Sequence, residues 1–166
     1  VASLPVATLS VRYPSPLSGL LERVRYISFA LPGIAVALAL VFFGARYASA
    51  LYQTTSLLLL AYLILYISPA LGSVRSSLLQ ISPRIEEAAR GLGNSPIRTF
   101  SSVTLPIARP GLLAGWALVF LLVMKELPAT LILSPVGFDT LATSIWSAAS
   151  EAFFARAAAP ALLLIA

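Results

Sequence analysis

The chain has 166 residues, 59% of them hydrophobic and only 10% charged, with 11 Lys and Arg against 6 Asp and Glu and a mean hydropathy of +0.94. Soluble domains carry about 25% charged residues, so this composition excludes an ordinary water-soluble core and points to helices embedded in a membrane. Neither Cys nor His occurs, which removes thiol nucleophiles, disulfides, zinc sites, imidazole haem ligation and Ser-His triads together.

Residues 1–18 mix apolar side chains with Pro5, Pro14, Pro16 and Arg12 and hold no period; they read as a linker or the tail of an earlier element. The stretch from Ser18 to Tyr26 is either a short interfacial helix, with Arg23 and Arg25 at the water boundary, or an ordinary charged flank. The first span is expected over residues 27–46. Ile27 to Ala45 contains no charge, and at 1.5 Å per residue it crosses a hydrocarbon core of roughly 30 Å. Pro32-Gly33 near its start predicts a first-turn proline or a kink, and Gly33 and Ala37 have the spacing of a close-packing small-residue pair. Gln53 to Ser56 is the expected turn or cap before a second span over residues 55–75, in which Ser68-Pro69 predicts a bend.

Residues 81–109 form a charged, glycine-punctuated loop. Ser82-Pro83 is a helix start, with a capping hydroxyl and a proline where a missing N–H costs nothing. Glu86 and Glu87 favour the positive end of the helix dipole. Ile85, Ala88, Ala89 and Leu92 share one face, while Arg84, Glu87 and Arg90 project elsewhere. Gly91, Gly93 and Asn94 tolerate positive φ, and Ser95-Pro96 repeats the start signal, so a second short helix bearing Ile97, Phe100 and Val103 is predicted. A third span is expected over residues 107–127, ended by Pro128, with Arg109 and Lys125 snorkelling to opposite headgroup layers. Pro135 and Gly137 place a turn in residues 131–138, and Asp139-Thr140 caps a short helix over residues 139–151 on the outer side. Residues 155–166 are apolar but too short to cross, and read as the start of a truncated last span.

Arg75, Arg84, Arg90, Arg98 and Arg109 share one side with Arg12, Arg23 and Arg25, whereas Arg46, Lys125 and Arg156 lie opposite. The positive-inside bias puts the 81–109 loop in the cytoplasm. Lys125 and Glu126 are either a snorkelling pair at a helix end or, with Thr130 and Asp139, part of a substrate path at the outer mouth.

Glu87-Ala88-Ala89, three residues, Gly93, nine residues, Val103, one residue and Leu105-Pro106 resembles the EAA loop of binding-protein-dependent ABC transporter permeases. Val103 stands where that pattern usually has isoleucine. Lys125-Glu126-Leu127-Pro128-Ala129-Thr130 and Gly137-Phe138-Asp139-Thr140-Leu141-Ala142 further resemble the ferric-iron group of these permeases. The resemblance implies an all-α polytopic transmembrane helical bundle of MetI-like fold, a single permease domain over residues 1–166 that is the carboxy-terminal part of a longer protein, as Val at position 1 and the absence of a signal peptide also suggest. It implies ATPase coupling through Glu86, Glu87, Ala88, Ala89, Gly93, Val103, Leu105 and Pro106. It implies a multi-pass location in a bacterial or archaeal inner or plasma membrane and contact with membrane lipid. The implied partners are a cytoplasmic ABC ATPase subunit, a periplasmic or lipoprotein substrate-binding protein, and a second permease half or subunit.

The expected cargo is ferric iron, with thiamine, a polyamine, phosphonate or sulfate as alternatives. Six scattered acidic residues and no His make no iron cage, so no metal site, catalytic residue, cofactor or nucleic-acid partner is expected. No G-x-x-x-x-G-K-[ST] run occurs, so the chain is not expected to hydrolyse ATP itself. An ATP-independent secondary transporter would need intramembrane ionisable groups, which the first two spans lack. An intramembrane Ser-Lys hydrolase through Lys125 lacks a G-x-S-x-G context.

Overall fold

A computed structural model describes residues 7, 8 and 31–165. The linker expected over residues 1–18, apart from Ala7 and Thr8, the stretch with Arg23 and Arg25, and the opening of the first span lie outside the described residues. Those that are described form helices and turns, with no strand among them. They divide into two compact units, one built on Ile67–Val119 with Ala7 and Thr8, the other on residues 31–66 and 120–165.

In the second of these units, Pro32 is the N-cap of α1, Gly33–Tyr47. The proline therefore marks the helix boundary and does not kink a longer span. Fifteen residues reach about 22 Å, less than a hydrocarbon core. A 3₁₀ turn, Ser49–Leu51, and Gln53 at φ 54° reverse the chain into α2, Thr55–Leu79, which continues past Pro69. The first half of α2 runs antiparallel to α1: a Cβ at Gly44 would stand 3.1 Å from Leu57 and one at Gly33 3.8 Å from Leu65. The small residues thus permit close approach where side chains would separate the helices. Val36, Ala37 and Leu40 meet Leu57, Leu58 and Ala61 in a core that also takes Ala129 and Leu133.

Those last two residues belong to a helix that the sequence reading missed. The third long helix, α5, Leu105–Met124, ends before residue 127, and Pro128 begins α6, Pro128–Leu133, which packs on α1. Pro128 therefore starts a helix instead of only stopping one, because its fixed φ and missing N–H suit a first turn. Leu131 to Leu133 are helical, and the turn is confined to residues 134–140, with Gly137 at φ 81°. Thr140 caps α7, Leu141–Ser150, through a reciprocal hydrogen-bond pair with Thr143; the helix begins two residues after the expected 139. Ala152 at φ 62° then turns the chain into α8, Phe154–Ile165, which packs on α7.

In the unit built on Ile67–Val119, the second half of α2 leads through Ile81 to α3, Pro83–Gly91, and then to α4, Pro96–Thr99. The short helix expected after Ser95-Pro96 is not separate. It runs through a π turn, Phe100–Thr104, directly into α5. The amide of Leu105 bonds to the carbonyl of Phe100, five residues back. That wider turn comes just before Pro106, which cannot donate to the preceding turn, so the helix absorbs the proline instead of breaking at it. Leu71, Val74, Leu78, Ile81 and Ala108 form the core. Among the described residues two helical stretches, Thr55–Leu79 and Pro96–Met124, are long and apolar enough to cross a membrane.

Candidate functional site

The described residues hold two polar constellations, one in each unit. The first is the loop of α3 and α4. Pro83 occupies the first helical position of α3, but the Ser82 hydroxyl makes no capping bond, contrary to the sequence reading. Ser95 does cap, accepting from the amide of Arg98 at 3.3 Å. Between the helices Gly93 takes φ +89°, and nothing lies within 4 Å of the place a Cβ would occupy. Gly91 and Asn94, the other residues expected to tolerate positive φ, do not adopt it.

The residues singled out in this loop separate by direction. Glu86 is half-buried and accepts a hydrogen bond from the Thr104 hydroxyl at 2.9 Å, tying α3 to the π turn. Ala89 is buried beside it, whereas Glu87, Ala88 and Gly93 are exposed and Val103, Leu105 and Pro106 are partly covered. Glu86, Arg90, Ile97 and Thr104 line a cavity of about 250 Å³. Thr104 was missed because a threonine 18 residues away has no sequence signal linking it to a glutamate.

The apolar face predicted from Ile85, Ala88, Ala89 and Leu92 does not pack against the chain as a whole. Only Ala89 is buried, while Ile85 is 44%, Leu92 86% and Ile97 83% exposed. The inward face of α3 is instead the Glu86 and Ala89 side. Scattered exposed apolar side chains need no explanation, but Ile85, Leu92 and Ile97 on one small loop with the exposed Arg84, Glu87 and Arg90 form a patch suited to another surface.

The second constellation lies where α5 ends. Of the four residues proposed for a path, the structure joins Glu126 and Thr130 and leaves Lys125 and Asp139 exposed. One Glu126 carboxylate oxygen accepts from the Tyr66 hydroxyl at 2.5 Å, and the other from the Ala129 amide at 3.1 Å. Thr130, fully buried, donates to the Glu126 carbonyl at 2.7 Å and pairs with the Tyr62 hydroxyl at 2.6 Å. Tyr62 and Tyr66 were not anticipated. Their spacing of four on one helix face was the available signal, but nothing in the sequence says which acidic residue they meet.

Glu126 and its neighbour Lys125 follow the end of α5 at Met124, where that helix gives way to α6. The carbonyls freed at such a helix end need partners, and the Thr130 hydroxyl supplies one to the Glu126 carbonyl.

A family model described as "binding-protein-dependent transport system inner membrane component" matches residues 1–166. The Fe(3+)-transport system permease protein FbpB 2 of Haemophilus influenzae is 41% identical over 165 residues, which cover 99% of this chain and 33% of that protein. A putative 2-aminoethylphosphonate transport system permease protein, PhnV of Salmonella typhimurium, is 32% identical over 146 residues, 88% of this chain and 55% of its own length. The putrescine transport system permease protein PotI of Escherichia coli is 35% identical over 74 residues, 45% of this chain and 26% of that protein. The chain thus spans about a third of the first of these relatives and about half of the second.

Proposed function

The chain belongs to the inner membrane components of binding-protein-dependent transport systems, and from that premise we propose that it is a permease subunit of an ATP-driven ABC importer whose ATPase is a separate partner. The observation that carries this reading is the exposed apolar patch of Ile85, Leu92 and Ile97 around the positive-φ Gly93. Glu87 and Ala88 present from α3 on the outward side, and the ATPase docks there. Glu86, turned inward to Thr104, holds α3 in place for that contact. Val103, Leu105 and Pro106 shape the π turn that carries displacement of the loop into α5. A substrate-binding protein delivers cargo from the other side, and a second permease half or subunit completes the pore. The location is a multi-pass one in the inner or plasma membrane.

Ferric iron is the cargo we propose, supported by the 41% identity to an Fe(3+)-transport permease over nearly the whole chain. Among the described residues no group of three or more His, Cys, Asp or Glu could hold a metal ion, so selectivity for iron is assigned to the binding protein. Lys125 and Asp139 are the exposed residues we assign to the outer path, with Glu126 and Thr130 forming its wall. The decisive experiment expresses the complete transporter with its binding protein in cells lacking their own iron importer. Growth on ferric iron is the expected result; growth restored on 2-aminoethylphosphonate or putrescine instead retains the permease and removes iron.

Topology gives an independent expectation. A cysteine at Ser95, in a chain with no native Cys, should react with an impermeant thiol reagent only from the cytoplasm, and one at Ser134 only from outside. Labelling of Ser95 from outside reverses the orientation and removes the ATPase from its proposed docking surface.

A further inference from the structure

Glu126 is a part-buried ionisable residue just after the end of α5, and its two carboxylate oxygens are both engaged by the protein, one by Tyr66 on α2 and one by the first turn of α6. Gly33, the first residue of α1, lies against the same carboxylate: a Cβ there would come within 3.0 Å of Oε1. Three elements thus converge on one side chain, at the point where α5 gives way to α6. We infer that Glu126 is a positioning residue for transport, which holds the junction of α5 and α6 in its resting geometry through Tyr66 and exchanges that bond for water when the pore changes state.

Physical chemistry favours a switch over a static brace. Withdrawing a carboxylate from water is costly, and well-packed apolar residues often hold a junction at least as well as ionic or polar ones. What a carboxylate adds is the ability to trade a protein donor for a water molecule, leaving two defined arrangements. The Ala129 contact lies three residues away on the same segment and persists as a local cap. The Tyr66 contact spans sixty residues and breaks if α2 and the junction part. The path residues therefore have separate roles: Lys125 and Asp139 face outward, while Glu126 sets the geometry of the wall.

This inference rests on the transport reading, and its test uses the complete transporter, with ATPase and binding protein, in proteoliposomes. Tyr66→Phe removes only the hydroxyl. A hydrogen bond to a charged group biases an equilibrium by about tenfold or more, so Tyr66→Phe should raise ATP hydrolysis without cargo by about tenfold. The concentration of loaded binding protein giving half-maximal stimulation should stay unchanged. Glu126→Gln should act alike, and the double variant should be no worse than either single one. Glu126→Asp, long enough to cap Ala129 but a methylene short of Tyr66, should resemble Tyr66→Phe. Wild-type coupling in Tyr66→Phe, additive effects in the double variant, or a loss confined to the amount of assembled complex would each overturn the inference. A wild-type transporter with no ATP-driven uptake is a different outcome, which removes the proposed function and this inference with it.

Discussion

Gly93→Val is expected to leave the helices inserted in the membrane and to reduce ATP-driven uptake by about tenfold or more, because 1.4 kcal/mol of lost contact changes an equilibrium tenfold. Gly93 holds φ +89° between α3 and α4. A β-branched residue there carries a strain of about 1–3 kcal/mol, relieved by rotating α3 away from its present direction. Among the described residues a Cβ at this position meets nothing within 4 Å, so crowding is expected chiefly against a docked partner. Gly93→Asn separates the two causes. Asparagine tolerates positive φ yet fills the same space, so it should restore the loop and still weaken association with the ATPase. Glu87→Lys, which reverses charge on the exposed side of α3, should also impair association. Glu86→Gln should be milder, since an amide oxygen still accepts from Thr104. Co-purification of the ATPase and the uptake rate decide the matter. Normal assembly and uptake in both Gly93→Val and Glu87→Lys would make the loop a passive surface hairpin.

Gly115→Leu is expected to be the most damaging single change to folding. Gly111 and Gly115 on α5 face Ser77 and Ser73 on α2, and a Cβ at these glycines would stand 2.8 Å from the Ser77 Cβ and 2.6 Å from the Ser73 Cβ. Real Cβ atoms do not approach so closely, so the helices must separate. Overpacking costs about 1–3 kcal/mol even where neighbours can shift, and here the neighbours are short side chains on a rigid helix. Separation would also disturb the Ser73 and Ser77 hydroxyls, which donate to the carbonyls of Ala70 and Ser73. Gly115→Leu should lower the yield of detergent-stable protein and its unfolding temperature. Gly115→Ala with Ser73→Gly, which moves the small volume across the interface, should recover most of the loss. A Gly115→Leu protein that accumulates and melts like the wild type would show that this crossing is not tight.

What could be read from the chain followed from local chemistry. Apolar runs without charge specify helices because buried backbone groups must bond within their own segment, so the all-helical fold was legible. Ser95-Pro96 and Thr140 marked helix starts for the same local reason, through a hydroxyl within three residues of the amide it caps. A turn at residues 91–94 was legible because glycine and asparagine enter the left-handed region at least cost, although the sequence did not say that Gly93, and not Gly91 or Asn94, would adopt it.

Other features were decided by contacts far apart in sequence. Whether Pro106 breaks a helix or is carried through it depends on a π turn that the local pattern does not encode. The sequence reading has Pro128 only as the end of one helix, yet it starts α6, because Ala129 and Leu133 find a core formed by α1 and α2. The inward turn of Glu86 toward Thr104 and the junction of Glu126 with Tyr66 join residues 18 and 60 positions apart. By itself the sequence determined a helical membrane domain with a charged loop between long apolar segments, because composition and spacing are properties of neighbours along the chain, whereas the permease reading came from the resemblance of that loop to a known family. Tertiary structure alone decided which side of that loop stays open and how α5 gives way to α6, because a partly buried polar group takes its orientation from whichever distant partner relieves the cost of burying it.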